Sequence, residues 1–133
     1  MKRESLDTNV LLRLMLADVP AQSEVARKLV ESRAVRYFVS DVAIAEFAHV
    51  LVRHYKFSRT QVTEVIKGLL SLDAIDCNRE LILETLQHFA KYRALSFEDC
   101  YLAASAEYMN TPPLWTFDKD LAAKVPSAKL LNT

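Results

Sequence analysis

The chain has 133 residues, of which 51% are hydrophobic and 26% charged, and its 17 basic residues balance 17 acidic ones to a net charge of zero. This length and composition predict one globular domain spanning residues 1–133 and exclude a disordered chain. The single glycine, Gly68, excludes the glycine-rich phosphate loops of P-loop and dinucleotide-binding enzymes. Zero net charge also argues against nucleic-acid binding, unless a cation neutralises four of the acids and leaves 17 − 13 = +4.

The cysteines and the N-terminus indicate a cytoplasmic protein. Cys77 and Cys100 are far apart, and the chain has no C-x-x-C, so reduced thiols are expected rather than disulfides or structural zinc. The N-terminus lacks the apolar run of a signal peptide, and its most apolar stretch, residues 10–16, is interrupted by Arg13. That stretch is too short to span a bilayer, so we expect no membrane association.

Short strand-like runs alternate with amphipathic helical patterns along the whole chain. Strands are predicted at residues 4–6, 36–40, 73–77, 113–117 and 128–131, and helices at residues 8–17, 21–33, 41–55, 58–72, 79–93, 96–110 and 118–125. Ser40 is the expected N-cap of the third helix, and Ser58 with Gln61 has capping-box spacing. Pro20 is expected to end the first helix. This alternation predicts an α/β fold with a mostly parallel sheet covered by helices, in which ligands bind beyond the carboxyl ends of the strands.

Four acids are candidates for a site at that edge. Asp7 follows the first strand, Glu46 lies in the second turn of the helix after residues 36–40, and Asp118 follows the strand at residues 113–117. Asp99 lies at the start of its own helix. Clustered carboxylates repel one another unless a cation is present, and all-oxygen ligands suit Mg²⁺ or Mn²⁺. Such ions activate water for phosphodiester hydrolysis.

Each acid also has a purely structural interpretation. Asp7 and Asp118 have the positions of helix N-caps, and Asp99 follows Ser96 at capping-box spacing. Glu46 could be an ordinary exposed helix residue, but its apolar neighbours, such as Phe47, argue against that interpretation.

Three other patterns favour weaker hypotheses. Glu46 and His49 have the Glu-x-x-His spacing of di-iron bundles, but no second copy exists. Residues 118–120, D-K-D, have the spacing found in aspartyl phosphatases, but too few residues follow for such a core. The basic and aromatic residues at 53–59 suit an RNA backbone, but a solvated helix junction is the preferred interpretation.

The segments around the four acids resemble those of PIN-domain ribonucleases, specifically VapC-type toxins of toxin–antitoxin pairs. The matching stretches are LDTNVLLRLML, VSDVAIAEFAHVL, FEDCYLAASA and PLWTFDKDL, in that order. They select Asp99 over Glu98 and Asp118 over Asp120. The polar residues before Asp7 depart from the apolar first strand that is usual in the family.

The resemblance implies a three-layer α/β/α fold with four to five strands and a Mg²⁺- or Mn²⁺-dependent endoribonuclease. Asp7 and Asp99 would hold the principal ion, and Glu46 and Asp118 would complete the catalytic pocket. Asn9 and Thr116 would be supporting hydrogen-bond residues. Implied partners are an RNA substrate, an antitoxin that blocks the site and a second copy in a homodimer. The alternatives are an RNA-processing PIN nuclease without an antitoxin and a non-catalytic PIN-like module that binds RNA or protein.

Overall fold

Seven helices and five strands form the chain, and the computed structural model describes all residues from 1 to 133. The chain divides into two compact units, Met1–Arg79 and Glu80–Thr133. All five strands pair in parallel, in a sheet of three and a sheet of two. The predicted α/β class with parallel strands is therefore confirmed.

The first unit contains three strands and four helices. Their order is β1 (Lys2–Ser5), α1 (Thr8–Met15), α2 (Pro20–Glu31), β2 (Val35–Phe38), α3 (Asp41–Arg53), α4 (Arg59–Leu70) and β3 (Ile75–Asp76). In the sheet, β2 lies between β1 and β3, with Ser5 opposite Phe38 and Phe38 opposite Asp76. Because β1 and β2 are parallel and in this register, the chain leaves both strands at the same edge of the sheet.

The first strand begins two residues earlier than predicted and ends before Leu6. All four of its residues are exposed, whereas Leu6, which directly follows, is buried. Parallel hydrogen bonding to β2 therefore maintains a strand whose side chains contribute little to the core.

Side-chain caps fix the starts of α3 and α4 as predicted. Ser40 Oγ accepts the backbone N–H of Ala43 at 3.1 Å. Ser58 and Gln61 form the reciprocal capping box at the start of α4. The prediction for Pro20 was wrong, because α1 ends at Met15 and Pro20 is the first residue of α2. Proline suits that position, since the N–H that it lacks would have no partner in the first turn of a helix.

The core of the first unit is built from α1, α3 and α4, with Leu11, Ile44, Phe47 and Ile66 fully buried. Helix α2 is different, because Val25 and Leu29 are 70% and 41% exposed. These side chains are one helical turn apart and so form an apolar stripe on the surface of α2.

Two aspartates of the first unit are held by ion pairs or strong hydrogen bonds. The Arg36 guanidinium, 2.7 Å from Asp76 Oδ1, holds the pKa of that carboxyl below its usual range. Tyr55 Oη donates to Asp18 Oδ2 at 2.6 Å, and together with Arg13 it lowers the pKa of Asp18. Both carboxylates therefore favour the folded state while they are ionised.

The second unit contains α5 (Arg79–Lys91, whose first residue belongs to the first unit), α6 (Phe97–Tyr108), β4 (Leu114–Thr116), α7 (Lys119–Lys124) and β5 (Ala128–Leu130). Strands β4 and β5 pair in parallel, with Thr116 opposite Leu130. The inward positions predicted for α5, namely Leu81, Leu86 and Phe89, are buried. The small residues Ala103 and Ala106 of α6 are buried as well.

Two other findings concern the chemistry of the chain. Cys77 and Cys100 form no disulfide. No helix combines the length and the apolar character needed to cross a bilayer.

Candidate functional site

Asp7 lies between β1 and α1 and is the N-cap of α1. Its Oδ1 accepts the backbone N–H of Val10 at 3.1 Å. The capping interpretation of Asp7 is thus correct, but it uses only one carboxylate oxygen. The side chain is on the surface, so its other oxygen is accessible to a ligand.

Glu46 lies in the second turn of α3, and its side chain is exposed. The argument from apolar neighbours was therefore wrong. Ala43 and Phe47 are buried on the other face of the helix, whereas Val42 is 77% exposed on the same face as Glu46. The Glu46 carboxylate takes part in none of the ion pairs of the chain, so intramolecular pairing does not account for its position.

Asp7 and Glu46, 39 positions apart in the sequence, line one pocket of about 280 Å³. Its wall consists of Leu6, Asp7, Thr8, Asn9, Ser40, Val42, Ala43 and Glu46. These two acids therefore lie at one pocket, whereas their role as site residues stays a prediction. Asn9, predicted as a supporting residue, also lies in this wall.

Thr8 was not singled out from the sequence. Its side chain is buried, and its Oγ1 donates to the carbonyl of Ala43 at 3.4 Å. This contact joins the first turn of α1 to the first turn of α3, the helices that carry Asp7 and Glu46. The signal in the sequence was a threonine next to a capping aspartate, but the identity of its partner depends on tertiary packing.

In the second unit, Asp99 lies in the first turn of α6 but does not cap it. Ser96 is the cap, and its Oγ accepts the backbone N–H of Asp99 at 3.1 Å. The reciprocal bond of a capping box, from the backbone N–H of Ser96 to the Asp99 carboxylate, is not formed. Asp99 is half-buried and Glu98 is exposed. Since Ser96 already satisfies the helix end, capping does not explain the Asp99 carboxylate.

Asp118 lies between β4 and α7 and is the N-cap of α7. Its Oδ1 accepts the backbone N–H of Leu121 at 3.0 Å. The backbone N–H of Asp118 itself donates to Thr116 Oγ1 at 2.9 Å. The Thr116 side chain therefore holds the backbone of Asp118, two positions further along the chain, and its supporting role in a site stays a prediction.

The other patterns in the sequence have ordinary structural roles. His49 is exposed on the surface of α3. In the basic and aromatic segment at 53–59, the hydroxyl of Tyr55 bonds to Asp18, and Arg53, His54 and Lys56 are exposed at a helix junction.

The chemistry of the first-unit pocket fits a hard divalent cation. Its polar side chains all offer oxygen atoms, which Mg²⁺ and Mn²⁺ prefer; they are those of Asp7, Thr8, Asn9, Ser40 and Glu46. No three His, Cys, Asp or Glu side chains are grouped closely enough to bind a metal ion. The convergence of all four acids on one ion accordingly stays a prediction.

Comparison with known families gives a match to the PIN domain over residues 5–126. The chain belongs to the PIN domain family. The match covers nearly the whole chain and includes all four acids of the prediction, so the PIN-like fold inferred from the sequence is confirmed. Comparison with curated proteins gave no match.

Membership of the PIN family indicates the broad class of activity. PIN domains have a nuclease-type fold, act on nucleic acid and generally use divalent metal ions. In this PIN domain, the pocket with Asp7 and Glu46 has the oxygen donors that such chemistry requires.

Proposed function

We propose that this PIN domain is a Mg²⁺- or Mn²⁺-dependent endoribonuclease and that Asp7, Glu46, Asp99 and Asp118 are its catalytic acids. One observation supports this most directly: Asp7 and Glu46 face the same pocket although they come from different helices. Neither the cap that Asp7 forms nor the exposed position of Glu46 requires that proximity.

Asp7 and Asp99 would hold the principal ion, with Glu46 and Asp118 binding metal or orienting water. When bound, the ion would polarise the scissile phosphate and lower the pKa of a water molecule. The chain itself contributes orientation. The α1 cap fixes the Asp7 carboxylate, Thr8 holds α1 against α3, and Thr116 fixes the backbone at Asp118.

Glu46 and Asp99 form none of the ion pairs of the chain, so their carboxylates are available to receive a proton from water or to hold the ion. Asn9, on the wall of the same pocket as Asp7, would donate a hydrogen bond to a phosphate oxygen. These roles need no cofactor other than the ion.

The proposal extends to a VapC-type toxin with a protein antitoxin. A groove of about 950 Å³ runs between α1, α2 and the sheet of the first unit and shares Asn9 with the acidic pocket. Val25 and Leu29, the exposed apolar stripe of α2, lie in this groove. An amphipathic segment of an antitoxin would bury that stripe and reach the acids from it. The homodimer is proposed on the family resemblance alone.

Cleavage of RNA by wild type and Asp7→Asn at fixed Mg²⁺ tests the enzymatic proposal. Asparagine is as good an N-cap as aspartate, so α1 is expected to remain folded while cleavage is lost. The products of the wild type should carry 5′-phosphate and 3′-hydroxyl ends. The matched control is Asp73→Asn, which changes an exposed aspartate of the same unit and should cleave normally.

If folded Asp7→Asn cleaves RNA as fast as the wild type, the catalytic role of Asp7 is wrong. If the wild type binds RNA and never cleaves it, the non-catalytic alternative is correct. Growth arrest on expression, relieved by the product of an adjacent short reading frame, would separate the toxin from an RNA-processing nuclease.

A further inference from the structure

The second unit contains a small basic pocket that the proposed catalytic residues do not account for. It has a volume of about 460 Å³ and is lined by Lys91, Tyr92, Arg93, Ala94 and Lys124. Lys91 is the last residue of α5, Tyr92 to Ala94 follow it, and Lys124 is the last residue of α7. Packing has thus brought together residues that are 33 positions apart.

The charges of this pocket differ from those of the rest of the unit. Residues 80–133 contain five cations, three of which line the pocket; the five are Lys91, Arg93, Lys119, Lys124 and Lys129. The same residues contain seven acids, none of which lines it; these are Glu80, Glu84, Glu98, Asp99, Glu107, Asp118 and Asp120. This unit has more acids than cations, yet most of its cations line this one pocket.

The three cations are also available for an external anion. Lys91, Arg93 and Lys124 are all exposed, and none belongs to an ion pair of the chain. Glu107, an exposed acid of the same unit, accepts from Ser127 at 2.6 Å and contacts His88 Nε2 at 2.8 Å. That carboxylate is therefore already engaged by other residues.

Aromatic contacts hold the wall of the pocket in place. Lys91 Nζ lies 5.2 Å from the centre of the Tyr92 ring, and the His88 ring is 5.6 Å from the same ring. The cation–π contact positions the ammonium group of Lys91 at the pocket. Tyr92 therefore has an organising role that does not depend on its own contact with a ligand.

A structural interpretation exists for two of the three cations. Lys91 and Lys124 lie in the last turns of α5 and α7, where positive charge interacts favourably with the helix dipole. Arg93 lies two residues beyond α5 and has no such role. Dipole compensation also provides no reason for two helix ends and a loop to line one open pocket.

We propose that this pocket binds the sugar–phosphate backbone of single-stranded RNA, with Lys91, Arg93 and Lys124 each contacting phosphate. The assignment of RNA as the ligand rests on the proposed nuclease function. The pocket would hold a stretch of substrate backbone and contribute affinity independent of base sequence.

The test compares wild type with the triple variant Lys91→Gln, Arg93→Gln, Lys124→Gln. A fluorescent single-stranded RNA oligonucleotide is titrated in EDTA, so that binding is measured without cleavage, at several NaCl concentrations. Each phosphate contact on a single strand contributes roughly 0.7 to the salt slope of the binding constant, so loss of three contacts lowers the slope by about 2 and weakens binding about 100-fold at 0.1 M salt. In Mg²⁺, KM should rise and kcat should change little.

Lys67→Gln is the matched control, because Lys67 is an exposed lysine in the last turn of α4 and lies in the first unit. It should leave the slope and the affinity unchanged. Inorganic phosphate at matched ionic strength should displace RNA no more than chloride does. Binding of inorganic phosphate that is lost in the triple variant, with RNA binding unchanged in that variant, would assign the pocket to a free anion instead of RNA.

An unchanged slope in the folded triple variant, or absence of RNA binding by the wild type, overturns the assignment. A lower melting temperature with unchanged RNA binding identifies the cations as helix-end residues only and also overturns it. If RNA binding by the triple variant falls as expected but the wild type cleaves no RNA, the RNA-binding role of the pocket is supported and the nuclease proposal is wrong. If the wild type cleaves RNA and the triple variant binds it equally well, the nuclease proposal stands alone.

Discussion

The four candidate acids fall into the same two classes, capping and non-capping, in each unit of the chain. Each has an aspartate that caps a helix, Asp7 before α1 and Asp118 before α7. Each also has an acid that caps nothing, Glu46 on α3 and Asp99 on α6, whose helices begin with Ser40 and Ser96 as caps. Two of the four acids are therefore helix caps, whereas Asp99 adds only a first-turn charge beside the Ser96 cap and Glu46 has no role at a helix end.

The difference between capping and non-capping acids indicates which of the four are needed for the fold and which are not. A capping aspartate would be retained by any protein that needs that helix, so its presence is weak support for catalysis. Glu46 and Asp99 are stronger support, because removing their charges should cost the fold little. The effects of substitutions in the two classes on cleavage and on stability therefore test the proposed assignment.

The largest expected effect is on cleavage by Glu46→Gln and Asp99→Asn. Each should lower kcat/KM for RNA by at least about 100-fold, as expected when one group that stabilises the transition state or its ion is removed. Unfolding by urea should be almost unchanged in both variants. Measurement of single-turnover cleavage at saturating Mg²⁺ provides the comparison.

Glu98→Gln is the control for Asp99, since it removes the adjacent exposed charge and should cleave nearly as well as the wild type. A reversed result, with Glu98→Gln inactive and Asp99→Asn active, would transfer the role to Glu98.

The next largest effect is stabilisation by the ion. Mn²⁺ or Mg²⁺ at about 100 times its dissociation constant adds roughly 2.7 kcal/mol to the folded state and should raise Tm by on the order of 10 °C. Asp99→Asn should lose most of that shift. Scanning calorimetry in chelator-treated buffer, with and without the ion, measures both. Identical shifts in the variant and the wild type would remove Asp99 from the ion site.

Smaller effects on the free energy of unfolding, measured without metal, distinguish the capping acids from the other two. Asp7→Ala and Asp118→Ala should each destabilise the folded state by about 1 kcal/mol, whereas the asparagine variants should cost only a few tenths. Glu46→Ala should stay within about 0.5 kcal/mol of the wild type. Urea unfolding in EDTA is the measurement. A cost for Glu46→Ala equal to that for Asp7→Ala would show that the distinction between the two classes is wrong.

The smallest effect concerns acid stability, which in the first unit depends on Asp76. Because Arg36 lowers the pKa of Asp76 in the folded state, this carboxylate stabilises the fold above its unfolded pKa of about 3.9 and loses that contribution as pH falls through the lowered value. Asp76→Asn should therefore have a lower Tm than the wild type at pH 7, and the difference should close in strong acid. Asp73→Asn, at an exposed position nearby, should follow the wild type throughout. A difference that widens in acid would give the opposite sign for the pKa shift.

Local features of this chain were predictable from the sequence because their partners lie within a few residues. The caps at Ser40 and Ser58 and the helical pattern of α5 depend on residues three or four positions away. The four segments that resemble PIN domains are likewise short runs, and the match over residues 5–126 confirms the PIN family. Predicted elements therefore agree with the structure to within a few residues, except that Pro20 begins a helix instead of ending one.

Features that depend on distant partners were not predictable in the same way. Glu46 was expected among apolar neighbours, yet its side of α3 faces outward, because burial of the opposite face was decided by packing against α1 and α4. The hydrogen bond from Thr8 to Ala43 spans 35 positions. The exposed stripe at Val25 and Leu29 shows the same limit, since a helical pattern specifies an apolar face but not what covers it.

The sequence by itself determined the helices, their caps, the direction of the strands and the identity of the family, because these depend on backbone preferences and short motifs. Only the tertiary structure decided that Asp7 and Glu46 share a pocket and that Lys91, Arg93 and Lys124 surround another. The physical reason is chain distance: contacts between residues more than 30 positions apart form only when burial of the intervening hydrophobic core outweighs the entropy lost in closing the loop.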